Sequence, residues 1–437
     1  MEMLDIEVFE GGFKETELGL LPEEWEVVRL GEILEEKNEK VGDYDFKDIV
    51  ILSITSKDGL IEQNRKFKHR VASQNISNYK LVRRGELVYG FPIDEGVIAF
   101  LWRYEMGAVS PAYYTWKLKN PEKTYYIFLD YLLRTPIILN LFKPFISNTV
   151  HRRKIIKPYD FKQISIPLPP LEEQKAIAGI LSTVQSAFEK TEKVINALKN
   201  LKKSMMKHLF TYGPVAEEEA EKVELKETEI GLIPKHWEVV RVGEVVEKMK
   251  AGGTPRRSEK RFWGGSIPFI MIEDLTKSNL YIKDAREYIT EEGLEKSNAW
   301  IVPPNSLLLS MYATIGETAI NLIPVATNQA ILGIIPKKHR LNVEFGAYLL
   351  KFHAKRLLFQ NIQTTQRNIN KGIVENFLIP LPPLEEQQKI AQILQSIDQR
   401  IEKEEKYKNA LENLFKSLLH NLMTGKIRVR VKSHGED

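Results

Sequence analysis

Two stretches of the chain carry apolar residues at three- and four-residue spacing over many turns. In the first, Ile177, Ile180, Val184 and Ala187 lead on to Val194, Leu198, Leu201 and Met205. In the second, Ile390, Ile393 and Ile397 lead on to Tyr407, Leu411, Leu414 and Leu418. Leu181, Phe188, Ile195, Leu394, Ile401 and Phe415 widen the stripe. The spacing is that of an a/d heptad seam. Pro170 and Pro383 stand where a first turn needs no N–H donor. Glu172, Glu173, Glu385 and Glu386 put negative charge at the positive end of the macrodipole. Gly213 and Gly425 supply the stops. The pattern predicts helices over 171–211 and 384–424, each about 60 Å long at 1.5 Å per residue. Thr191 in one, and Arg400 and Glu404 in the other, interrupt the stripe; they read as a solvated gap in the seam, the alternative being a register device.

Elsewhere the apolar runs are short and bounded by turn residues, as strands are. They fall at 48–55, 86–90, 96–101, 113–118, 267–272, 306–312 and 330–335. Helical patterning returns near 125–142 and 343–360. The alternation is too irregular for βαβ units, so the expectation is a mixed α/β region with short strands.

The chain repeats itself. Residues 14–35 read KETELGLLPEEWEVVRLGEILE and residues 226–247 read KETEIGLIPKHWEVVRVGEVVE. IPLPPLEEQ occurs at 166–174 and again at 379–387. The offset is 212 residues for the first pair and 213 for the second. A period this long is a duplicated domain with its connector, and no solenoid. The ends of the copies match, while 36–165 and 248–378 differ, as two readers in one frame would. The expected divisions are a globular domain over 1–165, a long helical segment over 166–213 and an acidic linker over 214–225. A second globular domain over 226–378, a second helical segment over 379–425 and a basic, polar tail over 426–437 follow. Twelve linker residues reach at most about 40 Å. The second domain must therefore begin near the far end of the first helix, and the helices are expected to pair antiparallel. The fold class is α/β (α+β): two similar mixed domains, two long helices as an antiparallel coiled coil, and a pseudo-twofold internal repeat.

Composition narrows the function. The 437 residues contain no cysteine, which excludes disulfides, thiolate metal sites and a cysteine nucleophile. No apolar run approaches the ~20 residues of a spanning helix. The acidic start, MEMLDIEVFE, lacks the form of a signal peptide. A cytoplasmic protein without a membrane partner is expected. Net charge is only +4, so its distribution matters more than its sum. Bases gather at Arg65, Lys66, Lys68 and Arg70, and at His151, Arg152, Arg153 and Lys154. A Gly-Gly-Thr-Pro loop carries Lys250, Thr254, Arg256 and Arg257. Gln363, Thr365, Gln366, Arg367, Asn368 and Asn370 occupy the place in the second copy that 148–157 holds in the first. Arg, Lys, Asn and Gln are the side chains that bond base edges, and Lys, Thr and backbone amides bond phosphates. These residues are the candidate DNA contacts.

Catalytic signatures are missing. There is no phosphate-binding G-x-x-x-x-G-K-[ST] loop, no G-x-G-x-x-G and no Asn/Asp-Pro-Pro-Tyr/Phe tetrapeptide. The eight histidines show no metal-ligand spacing; His69, His151 and His353 read as ordinary polar residues. Asp94-Glu95-Gly96 reads as a turn. The balance favours a binding protein.

Two globular regions, each closed by an I-P-L-P-P-L-E-E-Q helix, resemble the specificity subunit of type I restriction–modification enzymes. The opening L-G-L-L-P-E-E-W-E-V-V-R-L-G-E, the A-G-G-T-P-R-R…F-W-G-G-S-I-P-F-I of the second copy and V-S-P-A-Y-Y at 109–114 fit as well. The resemblance covers nearly the whole chain. It implies two target-recognition domains, each reading half of a bipartite, asymmetric double-stranded DNA site. It implies docking of two methyltransferase subunits on the helices, where Leu171, Glu173, Gln174, Leu384, Glu386 and Gln387 are the expected contacts. Restriction subunits, which are motor-nucleases, would join them. S-adenosylmethionine, ATP and Mg are expected on those partners, with no cofactor, metal or catalytic residue on this chain. The competing reading is a stand-alone two-domain DNA-binding regulator with a coiled-coil spacer.

Overall fold

A computed structural model describes residues 6–43, 49–66, 75–146, 154–359 and 368–431. The long helices run Leu171–Tyr212 and Leu384–Met423, within a residue of the bounds read from periodicity. The chain forms two compact units. One comprises Met1–Lys190 with Lys408–Asp437, and the other Thr191–Tyr407. Each unit thus contains the start of one long helix and the end of the other, so the units differ from the domain divisions expected from sequence.

In the first unit an antiparallel sheet has the order Ile98–Phe100, Leu87–Tyr89, Tyr114–Leu118, Leu34–Lys37. In the second the order is Thr318–Asn321, Ser306–Ser310, Ile331–Pro336, Val246–Ala251, with Tyr281–Ile282 added in parallel beyond the first of these. Strand for strand this is one frame used twice. Helices Tyr126–Leu133 and Val343–Phe352 cover the corresponding sheets. Apolar side chains from sheet, covering helix and long helix merge into the largest core cluster of each unit. The short strand Ser165–Leu168 pairs with Glu26–Arg29, and Leu378–Leu381 pairs with Glu238–Arg241. The Ile-Pro-Leu of the repeated motif is therefore sheet, and belongs to the globular region that it closes. In the first unit Ile6–Phe9 pairs with Arg428–Val431. The expected polar tail is thus a strand as far as Val431.

The rest of the motif fastens each helix start. Trp25 and Trp237, from the repeated opening, have no exposed surface. Trp25 Nε1 donates to Glu173 at 2.9 Å, and Trp237 Nε1 donates to Glu386 at 2.9 Å. Arg428 completes the first site, donating to Glu173 at 2.7 and 2.9 Å in a bidentate pair. His236, 2.7 Å from Glu386, stands in its place in the second. Gln174 donates to the carbonyls of Pro169 and Lys123 and accepts from Tyr125 N. Gln387 donates to Pro382 and Arg340 and accepts from Asn342 N. Glu173, Gln174 and Gln387 are buried, and Glu386 is half-buried. The burial of Glu173, Gln174 and Gln387 runs against their expected role as partner contacts: they satisfy internal donors and acceptors, while Glu386 keeps part of its surface. Leu171 and Leu384 are half-buried beside them. Gly425 packs against Pro22 and Trp25, and Gly213 against Trp237, both with positive φ (66° and 84°). The end of one long helix is thereby held to the tryptophan that anchors the start of the other.

Within each unit the helix segments run antiparallel. In the second, Lys199 pairs with Glu405 at 2.8 Å and Lys202 with Asp398 at 2.6 Å. In the first, Lys408 lies 5.1 Å from the Phe188 ring centroid. The seam differs from the apolar tracing. It passes through Phe188, Thr191, Ile195, Leu198, Lys202, Met205 and Leu209, all buried or half-buried. Val194 and Leu201 are exposed, as are Tyr407 and Leu414 on the second helix, where the line is Ile397, Ile401, Glu404, Lys408, Leu411 and Phe415. Both lines keep strict heptad spacing. Thr191 is buried, so no solvated gap exists at that position. Each globular region is also tied to its helix by a tyrosine: Tyr131 donates to Gln185 and Tyr348 to Asp398, both at 2.8 Å.

Two outcomes follow. The Arg428 and Glu173 side chains are 4% and 2% exposed. Glu173→Leu takes one of two carboxylates from the buried Arg428 guanidinium, leaving Glu24 at 2.7 Å, and takes the acceptor from the buried Trp25 Nε1. It is expected to cost about 3–5 kcal/mol, of which a second change, Arg428→Met, restores only the part that belongs to the guanidinium; urea unfolding of the single and double variants measures both. His353 sits among Phe210, Phe352 and Phe377. Burial, with Arg356 adding to it, lowers its pKa to about 3. The folded state therefore holds a neutral imidazole that the unfolded chain protonates near pH 6.5. Its contribution is complete above that pH and declines as pH falls toward 3. Between pH 7 and 4 the parent chain should lose about 3 kcal/mol more than His353→Phe, read from urea unfolding at the two pH values.

Candidate nucleic-acid interface

In the second unit, several loops meet at one end of the sheet. The loop after Val246–Ala251 holds the Gly-Gly-Thr-Pro sequence. Gly252 N donates to Ile331 O, and Gly253 N to Thr327 O. A Cβ on Gly252 would collide with the Thr327 carbonyl, so glycine is what lets the two backbones touch. Thr254 Oγ1 then donates to Gln329 Oε1 at 2.5 Å. Met311 N donates to Ala330 O, and Ile369 N to Met311 O, bringing in the two remaining loops. Trp300 Nε1 donates to Lys250 O, and Lys248 lies 4.9 Å from the Trp300 ring centroid. The result is a surface of Lys248, Lys250, Thr254, Arg256, Tyr312, Thr314 and Gln329, all exposed, on a main-chain frame. Ala313, between Tyr312 and Thr314, adopts φ 58°, a left-handed conformation that costs a side-chain-bearing residue about 1–2 kcal/mol.

In the first unit the loops at the same end of the sheet carry different chemistry. The loop 90–97 replaces 311–317, and Ser110–Tyr113 replaces the segment before Ile331. Ile93 N donates to Lys154 O, the counterpart of the Ile369 contact. Asp94 and Glu95 lie in a 3-10 turn ended by Gly96 at φ 83°, as their sequence implies.

Several expected contacts prove otherwise engaged. Arg257 lies 3.8 Å from the Trp263 ring centroid and pairs with Glu287 at 2.7 Å, so its charge is matched within the unit. Lys154 pairs with Asp94 at 2.7 Å. The Asn370 side chain accepts from Ile373 N and caps the helix Lys371–Glu375. Asn368 adjoins the surface through Ile369, while Lys250, Thr254 and Arg256 lie on it. Lys68, Arg70, His151, Arg152, Arg153, Gln363, Thr365, Gln366 and Arg367 lie outside the described residues, as do the side chains of Arg65 and Lys66. The sequence reading missed Lys248, Tyr312, Thr314 and Gln329. The polar Thr-Asn-Gln step directly before the buried strand Ile331–Pro336 was the available signal. Among the described residues no cluster of three or more His, Asp or Glu could hold a metal, and no helix is long and apolar enough to cross a membrane.

A duplicated frame with unlike loops at one sheet end is the form of a protein that reads two different targets. A family model, the type I restriction modification DNA specificity domain, matches residues 22–200 and again residues 234–413. The chain belongs to the family of type I restriction–modification specificity subunits. It is 32% identical to the putative type I restriction enzyme MjaX specificity subunit of Methanocaldococcus jannaschii, over 96% of this chain and 98% of that one. It is 30% identical to the MjaVIII specificity subunit of the same organism, over 96% and 97%. Among solved structures, the S subunit of a type I restriction-modification system from M. genitalium superposes with a TM-score of 0.57 at 15% identity, covering 91% of this chain and 96% of that one. A chain from a type I R-M system assembly gives 0.51 at 22% identity, covering 93% and 99%. These two likenesses concern the fold. The chain is thus a non-catalytic, DNA-binding specificity subunit with two target-recognition domains. Its partners are DNA and the other subunits of such a system. Family membership favours this over a stand-alone regulator.

Lys250 and Arg256 are exposed and, among the described residues, have no carboxylate partner, unlike Arg257. Replacing either with Ala should weaken DNA binding and reduce the log–log salt slope by about one. Titrations at several salt concentrations, on the chain with its methyltransferase, measure this; an unchanged slope in both variants removes the loop from the interface.

Proposed function

We propose that each unit reads one half of a bipartite, asymmetric DNA site, and that the chain carries two copies of one methyltransferase subunit, with restriction subunits joining that assembly. The observation that carries the reading is the repeated four-stranded order with different loops at its end. One frame with two loop sets suits two unlike half-sites. The duplicated elements, in turn, suit two identical partners. Leu201 and Leu414 are separated by the repeat offset, and each is 47% exposed on its own long helix. Val194 and Tyr407, one heptad earlier, are 41% and 52% exposed. What supports two like docking surfaces is that these exposed apolar positions match at the repeat offset. S-adenosylmethionine, ATP and Mg belong, on this reading, to the partner subunits, and the assembly works in the cytoplasm.

The test is stoichiometry and product together. Leu201→Asp and Leu414→Asp each place a charge on one of the two patches. Native mass spectrometry of the chain co-expressed with its methyltransferase should show two copies on the parent, one on each single variant and none on the double. Two copies on every variant would remove the helices as the docking surface. Sequencing of methylated DNA should give a site of two unlike parts. A chain that binds its site with full affinity without the methyltransferase would favour a stand-alone regulator.

A further inference from the structure

Among the loops of the second unit one side chain is poised differently from its neighbours. Gln329 is exposed, yet its position is determined from several directions. Thr327 O accepts from Gly253 N, Asn328 N donates to Ile270 O, and Ala330 O accepts from Met311 N. Asn328 Oδ1 accepts from Ala330 N at 3.1 Å, closing the turn beneath Gln329. Asn328 thereby acts within the loop. The Gln329 amide is itself oriented, because Oε1 accepts from Thr254 Oγ1 at 2.5 Å. An amide oxygen has two lone pairs and the amide nitrogen two N–H groups. One lone pair remains open, and among the described residues Nε2 has no partner.

An open acceptor beside an open donor, on a rigid mount and flanked by the basic side chains of Lys250 and Arg256, has one complement among the single base edges of the DNA major groove. Adenine presents an N6–H donor next to the N7 acceptor, whereas guanine presents two acceptors, N7 and O6. The Gln329 oxygen would meet O6 with like charge. We infer that Gln329, oriented by Thr254, reads an adenine in the half-site of the second domain, with Lys250 and Arg256 on the neighbouring phosphates. This rests on the reading of the second unit as a DNA-binding domain. Thr254 is a positioning residue: its hydroxyl holds the amide before DNA arrives, which lowers the ordering cost of the contact.

The chain, assembled with its methyltransferase, is incubated with duplexes of randomised sequence, and the methylated products are sequenced. The parent should show an adenine preference at one position that Gln329→Ala reduces roughly ten- to a hundred-fold, the range a bidentate contact carries, with the other half-site unchanged. Gln329→Glu cannot donate to N7 but accepts from cytosine N4, so the preference should move to cytosine at the same position. Thr254→Val should weaken the adenine preference at that position and at no other. If Gln329→Ala, folded and active, keeps the parent's preference at every position, Gln329 is not a reader, although the two-domain reading stands. If the parent itself shows no second half-site, the domain assignment fails and the inference with it.

Discussion

The structure depends on one hydrogen bond made twice, from a buried indole to the carboxylate in the first turn of a long helix. Trp25 reaches Glu173 and Trp237 reaches Glu386. An indole N–H and a carboxylate removed from water each need a partner, and in this geometry they satisfy one another. The same indole packs near the glycine that ends the other long helix. Each tryptophan therefore ties a helix start and a helix end to one globular region. The adjacent glutamine bonds main-chain groups just before the helix and in the segment that follows the sheet. Neither unit can close without a part of both helices, so the helices are structural members of the cores as well as connectors.

With the frame fastened in this way, recognition is left to loops. The four-stranded order is common to both units, and the residues at its end are not. In the second unit the loops are bound to each other through backbone groups: Gly252 and Gly253 to the 327–331 segment, Met311 to Ala330, and Ile369 to Met311. Side chains such as Thr254, Arg256 and Gln329 stand on that scaffold without being needed to build it. A site on a rigid mount is the arrangement that makes base contacts selective, because little ordering remains to oppose binding.

Much of this was legible in the sequence. The two long helices, the short strands and the antiparallel pairing follow from periodicity, turn residues and the 212–213 residue offset. Apolar spacing misplaces the seam, because its line passes through Thr191, Lys202, Glu404 and Lys408; Lys202 is neutralised by Asp398 and Lys408 lies over Phe188. The resemblance puts Glu173, Gln174, Glu386 and Gln387 on a partner surface; that the two glutamates turn inward depends on indole donors 148 and 149 residues away, which no local pattern shows. The strand pairing of Ile6–Phe9 with Arg428–Val431 lies at the greatest sequence separation, where no local pattern speaks. Of the candidate DNA contacts, Lys250, Thr254 and Arg256 lie on the surface, and charge alone could not tell Arg256 from the ion-paired Arg257. Gln329 carried no periodic signal, being one residue of the short Thr-Asn-Gln step.

The backbone-to-backbone seam at Gly252 has an evolutionary consequence. Because the loop's shape is set by main-chain groups, the side chains at its tip are released from structural duty. Surface substitutions away from caps and buried pairs usually change stability by less than about half a kcal/mol. A replacement at Thr254, Arg256 or Gln329 therefore draws little on the fold's reserve, whereas one at Gly252, Gly253 or Trp237 draws heavily. Mutational tolerance is concentrated at the loop tips and withheld from the frame beneath them, so a lineage of such chains is free to vary its loop surface through folded intermediates.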